Sequence, residues 1–216
     1  MSVCRRVFLV GCSGAGKSTI ARELAARLGV PYTPISAQEG YRHHGTTVDA
    51  AFRDAVLMAK CQAHIRRYTA ERLEELAGLS GGFVADRAFD LSVYGALLGF
   101  PHPRESVARV LKAMTAPPPG AVPLAATVIL VRPHVDVLRV ARARDGGRRN
   151  QFLSDEWVYR LDGALTHFLQ ANHMPHTQIP LETVNVAERV GFCERAVLGT
   201  PAVVPGKWVD PDGCAW

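Results

Sequence analysis

Residues 11–19 read Gly11-Cys12-Ser13-Gly14-Ala15-Gly16-Lys17-Ser18-Thr19 and match the pattern G-x-x-x-x-G-K-[ST] without a mismatch. This match is the strongest indication of the fold in the sequence. The apolar run before it, residues 7–10, predicts a buried strand. After it, apolar residues at four-residue spacing predict an amphipathic helix: Ile20, Leu24 and Leu28. A strand, a glycine-rich loop and a helix in this order are the context in which the pattern forms a phosphate-binding loop.

The residue types in this loop suit a nucleoside triphosphate. Glycines let successive backbone N–H groups point at a phosphate, and the positive end of the helix dipole attracts its charge. We expect Lys17 to reach the β- and γ-phosphates and the Ser18 hydroxyl to ligate Mg²⁺. The residues predicted to bind ATP in this loop are Gly11, Ser13, Gly14, Ala15, Gly16, Lys17, Ser18 and Thr19.

Composition places the chain among ordinary globular proteins. It has 216 residues, of which 48% are hydrophobic and 21% charged, so one α/β domain with a full core is expected. The net charge of +5 suits anionic substrates but is too small to demonstrate nucleic-acid binding. No apolar run approaches membrane-spanning length and no secretory signal is recognised, so we expect no membrane partner. The sequence leaves the oligomeric state open.

Cysteine usage favours a cytoplasmic location. The five cysteines are an odd number without a C-x-x-C pair, which is typical of reduced thiols rather than of a disulfide framework or a zinc site. Cys12 lies inside the phosphate loop, where we expect a small buried residue facing the sheet rather than a reactive thiol.

Strand and helix patterns alternate along the chain, which predicts a five-stranded parallel sheet flanked by helices. The predicted strands are residues 7–10, 31–35, 83–85, 127–131 and 176–179. Residues 38–47 are predicted to be a polar loop, and residues 48–76 a single long helix. The domain that contains the phosphate loop is expected to cover residues 1–199, followed by a Pro- and Gly-rich tail, 200–216.

The third predicted strand ends in Asp86-Arg87, and this pair favours phosphoryl transfer over hydrolysis. A GTPase needs an N-K-x-D motif, which this sequence lacks. A motor ATPase usually follows its strand acid with a second acid that polarises water. An arginine beside the acid is better suited to an anionic acceptor or a phosphate. The carboxyl ends of strands are also where open α/β sheets bind ligands.

An arginine-rich stretch after the fourth strand predicts a mobile lid. Its arginines flank a flexible Gly-Gly pair: Arg139, Arg142, Arg144, Arg148 and Arg149. Closure of such a lid would bring guanidinium groups onto the transferred phosphoryl group and exclude water. We expect Arg144 to bind the nucleotide and Arg148 to act in catalysis. A solvated helix face is the alternative.

The order of these motifs resembles the P-loop kinases of nucleosides and nucleotides. The features that carry the resemblance are the phosphate loop, Asp86-Arg87 followed by a helix with Tyr94, and the late run 145–148. The chain is most similar to the AAA-like ATP-binding group that includes nicotinamide ribonucleoside kinase domains, and it shares features with thymidylate and deoxynucleoside kinases. The resemblance spans roughly residues 5–198.

The resemblance implies a role for each matching residue. It implies that Lys17 and Ser18 bind ATP·Mg²⁺, that Asp86 is a base or a metal-associated acid, and that Arg87 holds the acceptor or a phosphate. It places Arg148 in the lid. Tyr94 is expected to belong to the core or to support the site through hydrogen bonds.

Two departures leave the acceptor open. Deoxynucleoside kinases commonly carry Glu at the end of the second strand and Ser or Thr after the Asp/Glu-Arg pair. Here the acid is displaced to Glu39, and Ala88 follows Arg87. Glu39 is therefore an alternative base or, equally, a surface carboxylate, and Arg42 and Tyr41 beside it are candidate acceptor contacts. Gln62 is a candidate reader of a base edge, although a solvated helix position is favoured for it.

The sequence leaves three candidate functions open. The first is an ATP-dependent kinase whose acceptor is a nucleoside or nucleotide. The second is a kinase acting on nucleic acid, at a DNA end or a hydroxymethylated base. A basic face of the long helix permits it: Lys60, Arg66, Arg67 and Arg72. Aromatic residues are only 7% of the chain, which counts against a base-stacking surface. The third is an ATPase that transfers nothing.

Overall fold

The computed structural model describes residues 5–100, 104–115, 126–144 and 151–199. Five parallel strands form one sheet in the order β2-β3-β1-β4-β5. The strands are β1 (Arg5–Val10), β2 (Tyr32–Thr33), β3 (Gly82–Ala85), β4 (Thr127–Leu130) and β5 (His176–Gln178). The predicted five-stranded parallel sheet flanked by helices is confirmed.

Helices connect the strands and cover the sheet. They are α1 (Lys17–Leu28), α2 (Gln38–His43), α3 (Val48–Phe52), α4 (Ala55–Ala77), α5 (Asp90–Leu97), α6 (Arg104–Thr115), α7 (Val135–Arg144), α8 (Asp155–Ala171) and α9 (Val186–Gly199). Helix α1 packs against α9, and α4 packs against α2, α3, α5 and α6, while α5 also contacts α8. The two helical groups bury the sheet between them, as a parallel sheet requires.

Strand β1 is the centre of the core. Its four apolar residues, 7–10, have no exposed surface, because β1 is paired on both edges and covered on both faces. Val7 lies beside Val84 of β3 on one edge and Thr127 of β4 on the other. A continuous apolar run is what a strand buried on both faces needs. The loop that follows β1 therefore leaves the sheet at the middle of its carboxyl edge.

Two of the predicted segments between β2 and β3 were wrong. The predicted loop at 38–47 contains helix α2, and the predicted helix at 48–76 is two helices that separate at Arg53 and Asp54. The Asp54 carboxylate accepts hydrogen bonds from the backbone N–H groups of Val56 at 2.9 Å and Leu57 at 3.0 Å. This side chain is an N-cap, so the second helix begins there instead of continuing the first.

The second strand is shorter than predicted, two residues instead of five. It is the edge strand of the sheet, and it ends at Thr33 immediately before Pro34. Proline lacks a backbone N–H and so cannot donate to the ladder. Pairing with β3 stops there, and the chain turns towards α2.

Helix α2 lies unusually close to α4. A Cβ atom placed on Gly40 would lie 2.5 Å from Cγ1 of Ile65 and 2.7 Å from the backbone oxygen of Cys61, so this contact requires glycine. The approach buries Tyr41 of α2 and Gln62 of α4. The favoured prediction of a solvated Gln62 was therefore wrong, since only 3% of that residue is exposed.

Among the residues that the structure describes, none of the helices combines the length and the apolar character needed to cross a bilayer. The predicted tail, residues 200–216, lies outside the described residues, so its separation from the domain at residues 1–199 stays a prediction.

Candidate active site

The phosphate loop crosses the end of β4 at close range. A Cβ atom on Gly11 would lie 2.3 Å from the backbone oxygen of Val131, and the φ angle of Gly11 is +147°. No side chain fits in this gap. Cys12, the next residue, is fully buried as predicted, and burial raises the pKa of its thiol to about 11.

Lys17 is folded back over this loop at the start of α1. Its Nζ donates hydrogen bonds to the backbone oxygens of Gly11 at 2.8 Å and Cys12 at 2.6 Å, and the residue is 5% exposed. Burial and then the positive charge of Arg87 lower the pKa of Lys17 to about 8. An ammonium group held by carbonyls alone is ready to exchange them for phosphate oxygens.

Arg87 follows β3 and is aimed by a buried carboxylate. Its Nη1 donates to Oδ2 of Asp90 at 3.2 Å, and its Nη2 donates to Oγ of Ser13 at 3.4 Å. Asp90 is fully buried, and its Oδ1 accepts the backbone N–H of Ala88 at 2.7 Å. Asp90 was not singled out from the sequence. Its signal was an acid three residues after Arg87 in the first turn of a helix.

Asp86, the residue before Arg87, is held by a tyrosine of β2. Its Oδ2 accepts a hydrogen bond from the hydroxyl of Tyr32 at 2.9 Å, and only 7% of Asp86 is exposed. Burial, followed by the charge of Asp86, raises the pKa of Tyr32 to about 12, so the phenol stays protonated and keeps donating to the carboxylate. Tyr32, the first residue of β2, was not singled out from the sequence.

Tyr94 of α5 joins the phosphate loop to Arg87. Its hydroxyl accepts the backbone N–H of Ser13 at 2.9 Å and lies 2.9 Å from Oγ of the same serine. The guanidinium carbon of Arg87 lies 5.3 Å from the centre of the Tyr94 ring, a cation–π contact. The predicted supporting role of Tyr94 is confirmed.

Two cavities meet at these residues. The larger, the loop cleft, has a volume of about 800 Å³ and extends along the phosphate loop and the start of α1. Of the predicted nucleotide-binding residues it is lined by Ser13, Gly14, Gly16, Lys17, Ser18, Thr19 and Arg144. The lining also includes apolar side chains, those of Val137, Val140, Val184 and Val186. Cationic groups at a helix N-terminus together with apolar surface suit a nucleotide.

The smaller cavity, the inner pocket, lies between α2, α4 and α5 and has a volume of about 30 Å³. Its polar and aromatic lining includes Tyr41, Gln62, Tyr94 and Phe152. Ser13 and Arg87 line both cavities, so they form the boundary between them.

Glu39 and Arg42 lie away from both cavities. They form an ion pair with each other, with Arg42 Nη1 2.6 Å from Glu39 Oε1, and most of the Arg42 side chain is exposed. Neither lines the loop cleft or the inner pocket. The neighbouring residue Gln38 lines the cleft instead. The roles given to Glu39 and Arg42 stay predictions.

The predicted lid is described only at its two ends. Arg139 pairs with Asp136 at 2.9 Å. Arg142 donates from Nε to the backbone oxygen of Leu153 at 2.9 Å and pairs with Asp155. Arg142 thus joins the chain on either side of residues 145–150. That run, including Arg148, lies outside the described residues, so the lid and the role of Arg148 stay predictions.

Comparison with known proteins agrees with this architecture. A family model described as an AAA domain matches residues 6–189. No curated protein matches the chain by sequence.

Solved structures of P-loop kinases share the fold. Shikimate kinase from Acinetobacter baumannii in complex with shikimate has a TM-score of 0.57 and 17% identity over 92% of this chain and 95% of that one. Deoxyadenosine kinase from M. mycoides with bound dCMP and dCDP has a TM-score of 0.63 and 17% identity over 90% of this chain and 100% of that one. The NadR protein in complex with NR has a TM-score of 0.61 and 16% identity over 93% of this chain but 53% of its own length.

Proposed function

Because the chain belongs to the AAA domain family and has the fold of P-loop kinases, we propose that it is a phosphotransferase that moves the γ-phosphoryl group of ATP to a nucleoside or nucleotide. In this reaction the bond between the γ-phosphorus and the bridging oxygen of ATP breaks, a new phosphorus–oxygen bond to the acceptor forms, and ADP leaves. A hydroxyl acceptor also loses its proton.

The observation that carries the proposal is the contact between two cavities at Ser13 and Arg87. A kinase needs a donor site and an acceptor site that meet where the phosphoryl group is transferred. The loop cleft is large enough for a nucleotide, and the inner pocket lies on the far side of the same two residues. An ATPase that only hydrolyses its nucleotide has no use for the second pocket.

The residues present fit ATP and Mg²⁺. Lys17 carries its charge at neutral pH and is held by carbonyl groups, so phosphate oxygens are better partners than those it has now. Mg²⁺ takes oxygen ligands, and the hydroxyl of Ser18 and the carboxylate of Asp86 would hold it, directly or through water. Its chemistry there would be to neutralise charge on the phosphates.

Each side chain of the site has a separate role in the proposed reaction. Lys17 and the loop N–H groups fix the triphosphate, and Arg87 orients the transferred group from the boundary between the cavities. Asp90 keeps the Arg87 guanidinium in place, and Tyr94 keeps the Ser13 segment of the loop in place. Asp86 lines neither cavity, so the cavity lining favours neither of its two roles, base or metal-associated acid.

The inner pocket favours an acceptor with a flat, largely uncharged body. Two tyrosines and a phenylalanine supply aromatic surface, and the buried Gln62 amide supplies a donor and an acceptor. Arg87 is its only charged residue among the described ones. A nucleoside suits this lining. At about 30 Å³ the pocket holds one water molecule, so the acceptor enters after its walls separate.

The basic face of α4 gives little support to a nucleic-acid acceptor. Arg67 pairs with Glu71 at 3.8 Å on the same helix, and Arg72 pairs with Glu75. These acids offset the charge that phosphate binding would use. Nucleic acid therefore remains the second candidate, and hydrolysis without transfer the third.

The test is transfer of labelled γ-phosphate from ATP·Mg²⁺ to a panel of acceptors. The panel holds nucleosides, nucleoside monophosphates, nicotinamide riboside, shikimate, and DNA with plain or hydroxymethylated bases. We expect label on a nucleoside or nucleotide. Label on DNA alone would establish the second candidate, and release of phosphate without a labelled acceptor the third. Lys17→Met, which removes the charge, is the negative control and should transfer no labelled phosphate.

A further inference from the structure

Arg189, near the start of α9, contacts the phosphate loop from a distant part of the chain. Its Nη1 donates a hydrogen bond to the backbone oxygen of Ala15 at 2.9 Å, and its Nη2 donates to the backbone oxygen of Arg132 at 3.3 Å. A Cβ atom on Gly16 would lie 3.3 Å from the same Nη1. The guanidinium therefore touches the loop where its last glycines meet α1.

This guanidinium is buried without a carboxylate partner in the part of the chain that the structure describes. Only 3% of Arg189 is exposed, it lines the loop cleft, and no ion pair joins it to any of the described residues. Its buried Nε has no hydrogen-bond partner among them either. Burial lowers the pKa of Arg189, and the acidic groups that oppose the shift are the thiols of Cys193 and Cys12.

The neighbouring arginines show the usual arrangement. The guanidinium of Arg132, at the end of β4, pairs with Asp162, to which its Nε donates at 3.1 Å. Arg87 pairs with Asp90. A buried guanidinium without such a partner is costly, because the desolvation of its charge is not repaid by an opposite charge. Near a cleft that takes a polyanion, the missing counter-charge can come from the ligand.

We propose that Arg189 is a second buried cation of the nucleotide site, whose positive charge no carboxylate of the described residues compensates, so that the phosphates of the bound nucleotide balance it. This inference rests on the proposed function, because it assumes a phosphorylated ligand in the loop cleft. Arg189 acts through its contact with the loop backbone at Ala15, while Lys17 acts from the start of α1. It is a positioning residue with an electrostatic effect on ligand affinity.

An electrostatic role of Arg189 has consequences different from those of a purely structural role. An arginine that only held Ala15 and Arg132 in place would stabilise the free protein, and its loss would affect ligands regardless of their charge. An uncompensated charge destabilises the free protein and strengthens binding in proportion to the charge of the ligand.

The experiment measures dissociation constants by calorimetry for ATP·Mg²⁺, ADP and adenosine, together with the thermal unfolding midpoint. For Arg189→Met we expect ATP to bind at least about tenfold more weakly, ADP to be affected less, and adenosine to change less than about twofold. The unfolding midpoint of the ligand-free variant should match or exceed that of the unaltered protein. Arg195→Met is the matched control, since it removes one exposed arginine from the same helix and should change neither quantity.

A pair of polar variants distinguishes charge from hydrogen bonding. Arg189→Lys keeps the charge and should retain ATP affinity within about threefold, whereas Arg189→Gln keeps a donor without charge and should lose it as Met does. These two variants decide the question if Met at this position impairs folding. Equal loss with Lys and Gln, or equal weakening of ATP and adenosine, would overturn the inference.

The proposed function and the inference about Arg189 are overturned by different results. An unaltered protein that binds no nucleotide at all would remove the proposed function and this inference with it. An unaltered protein that binds ATP, with the same affinity after Arg189→Met, would leave the proposed function intact and overturn the inference alone.

Discussion

The hydroxyl of Tyr94 accepts the backbone N–H of Ser13 across 81 residues of sequence, at a distance of 2.9 Å. The same hydroxyl lies 2.9 Å from the serine Oγ, and the Tyr94 ring stacks edge-on with Phe152, with the ring centres 5.5 Å apart. Tyr94 therefore holds the third residue of the phosphate loop from the wall of the inner pocket. We therefore expect a change in that wall to shift the loop, which would couple the inner pocket to the loop cleft.

Tyr94→Phe tests this coupling, because it removes the hydroxyl and keeps the ring. The Ser13 N–H loses its partner, so we expect the free energy of unfolding to fall by about 1–2 kcal/mol and the transfer rate to fall with it. Urea unfolding and steady-state kinetics measure the two effects. Tyr159→Phe is the control, since Tyr159 is 56% exposed. An unchanged rate in the Tyr94 variant would show that the loop does not need this hydrogen bond.

Arg87→Lys is expected to slow transfer much more than it weakens ATP binding. Lysine keeps the positive charge, but it cannot donate to Asp90 and Ser13 at once as the guanidinium does. The turnover rate should fall on the order of 100-fold, with the dissociation constant of ATP changed less than about threefold. Arg53→Lys, at an exposed arginine, is the control. A loss confined to ATP affinity would place Arg87 on the nucleotide side only.

The pH dependence of ATP binding should follow Lys17. Its pKa in the free protein is about 8, and bound phosphates raise it, so binding takes up a proton once the pH exceeds 8. The affinity should therefore fall as pH rises above 8, by up to roughly tenfold per pH unit. Calorimetry at pH 9 in two buffers of different ionisation enthalpy measures the proton uptake. Binding that is constant from pH 7 to pH 9 would contradict the lowered pKa.

The stability of the free protein should move in the opposite direction over the same range. The pKa of Lys17 is lower in the folded state than the ordinary value of 10.5, so between pH 8 and 10.5 the unfolded chain binds more protons than the folded one. The contribution of Lys17 to the free energy of unfolding therefore rises with pH in that window. It should disappear in Lys17→Met, and urea unfolding at pH 8 and pH 10 compares the two proteins.

Asp54→Ala should destabilise the protein by about 1 kcal/mol through loss of the α4 N-cap. Asp54→Asn keeps a side-chain oxygen that accepts the same two N–H groups, so it should be nearly neutral. Thermal unfolding of the two variants gives the comparison. Equal destabilisation by Ala and Asn would mean that the charge of Asp54 matters, and not its hydrogen bonds.

The fold was predictable because its strongest signals are local. The apolar run at 7–10, the loop motif and the helical spacing that follows all lie within about twenty residues, and they specify a strand, a turn and a helix without reference to the rest of the chain. The break before α4 was not recognised, because apolar spacing continues through it. Thr47 and Asp54, both residue types that cap helices, were the available signals.

The site was predictable only in part, for the same physical reason. Lys17 and Ser18 are fixed by the motif itself, whereas Asp90, Tyr32 and Arg189 acquire their roles from partners that the sequence does not reveal. Arg189 lies 174 residues from the loop oxygen that it contacts. The burial of Gln62 likewise depends on the close approach of α2, which Gly40 permits.

The first glycine of the phosphate loop would be retained by natural selection even in a descendant that no longer bound nucleotide. Gly11 faces the Val131 backbone oxygen at a separation that admits no side chain, so its replacement disturbs the sheet before it disturbs any ligand. The packing of the strands does not require Lys17 in this way. Among diverged copies of this sequence, a preserved Gly11 would therefore report an intact fold, and only a preserved Lys17 would report continued use of the site.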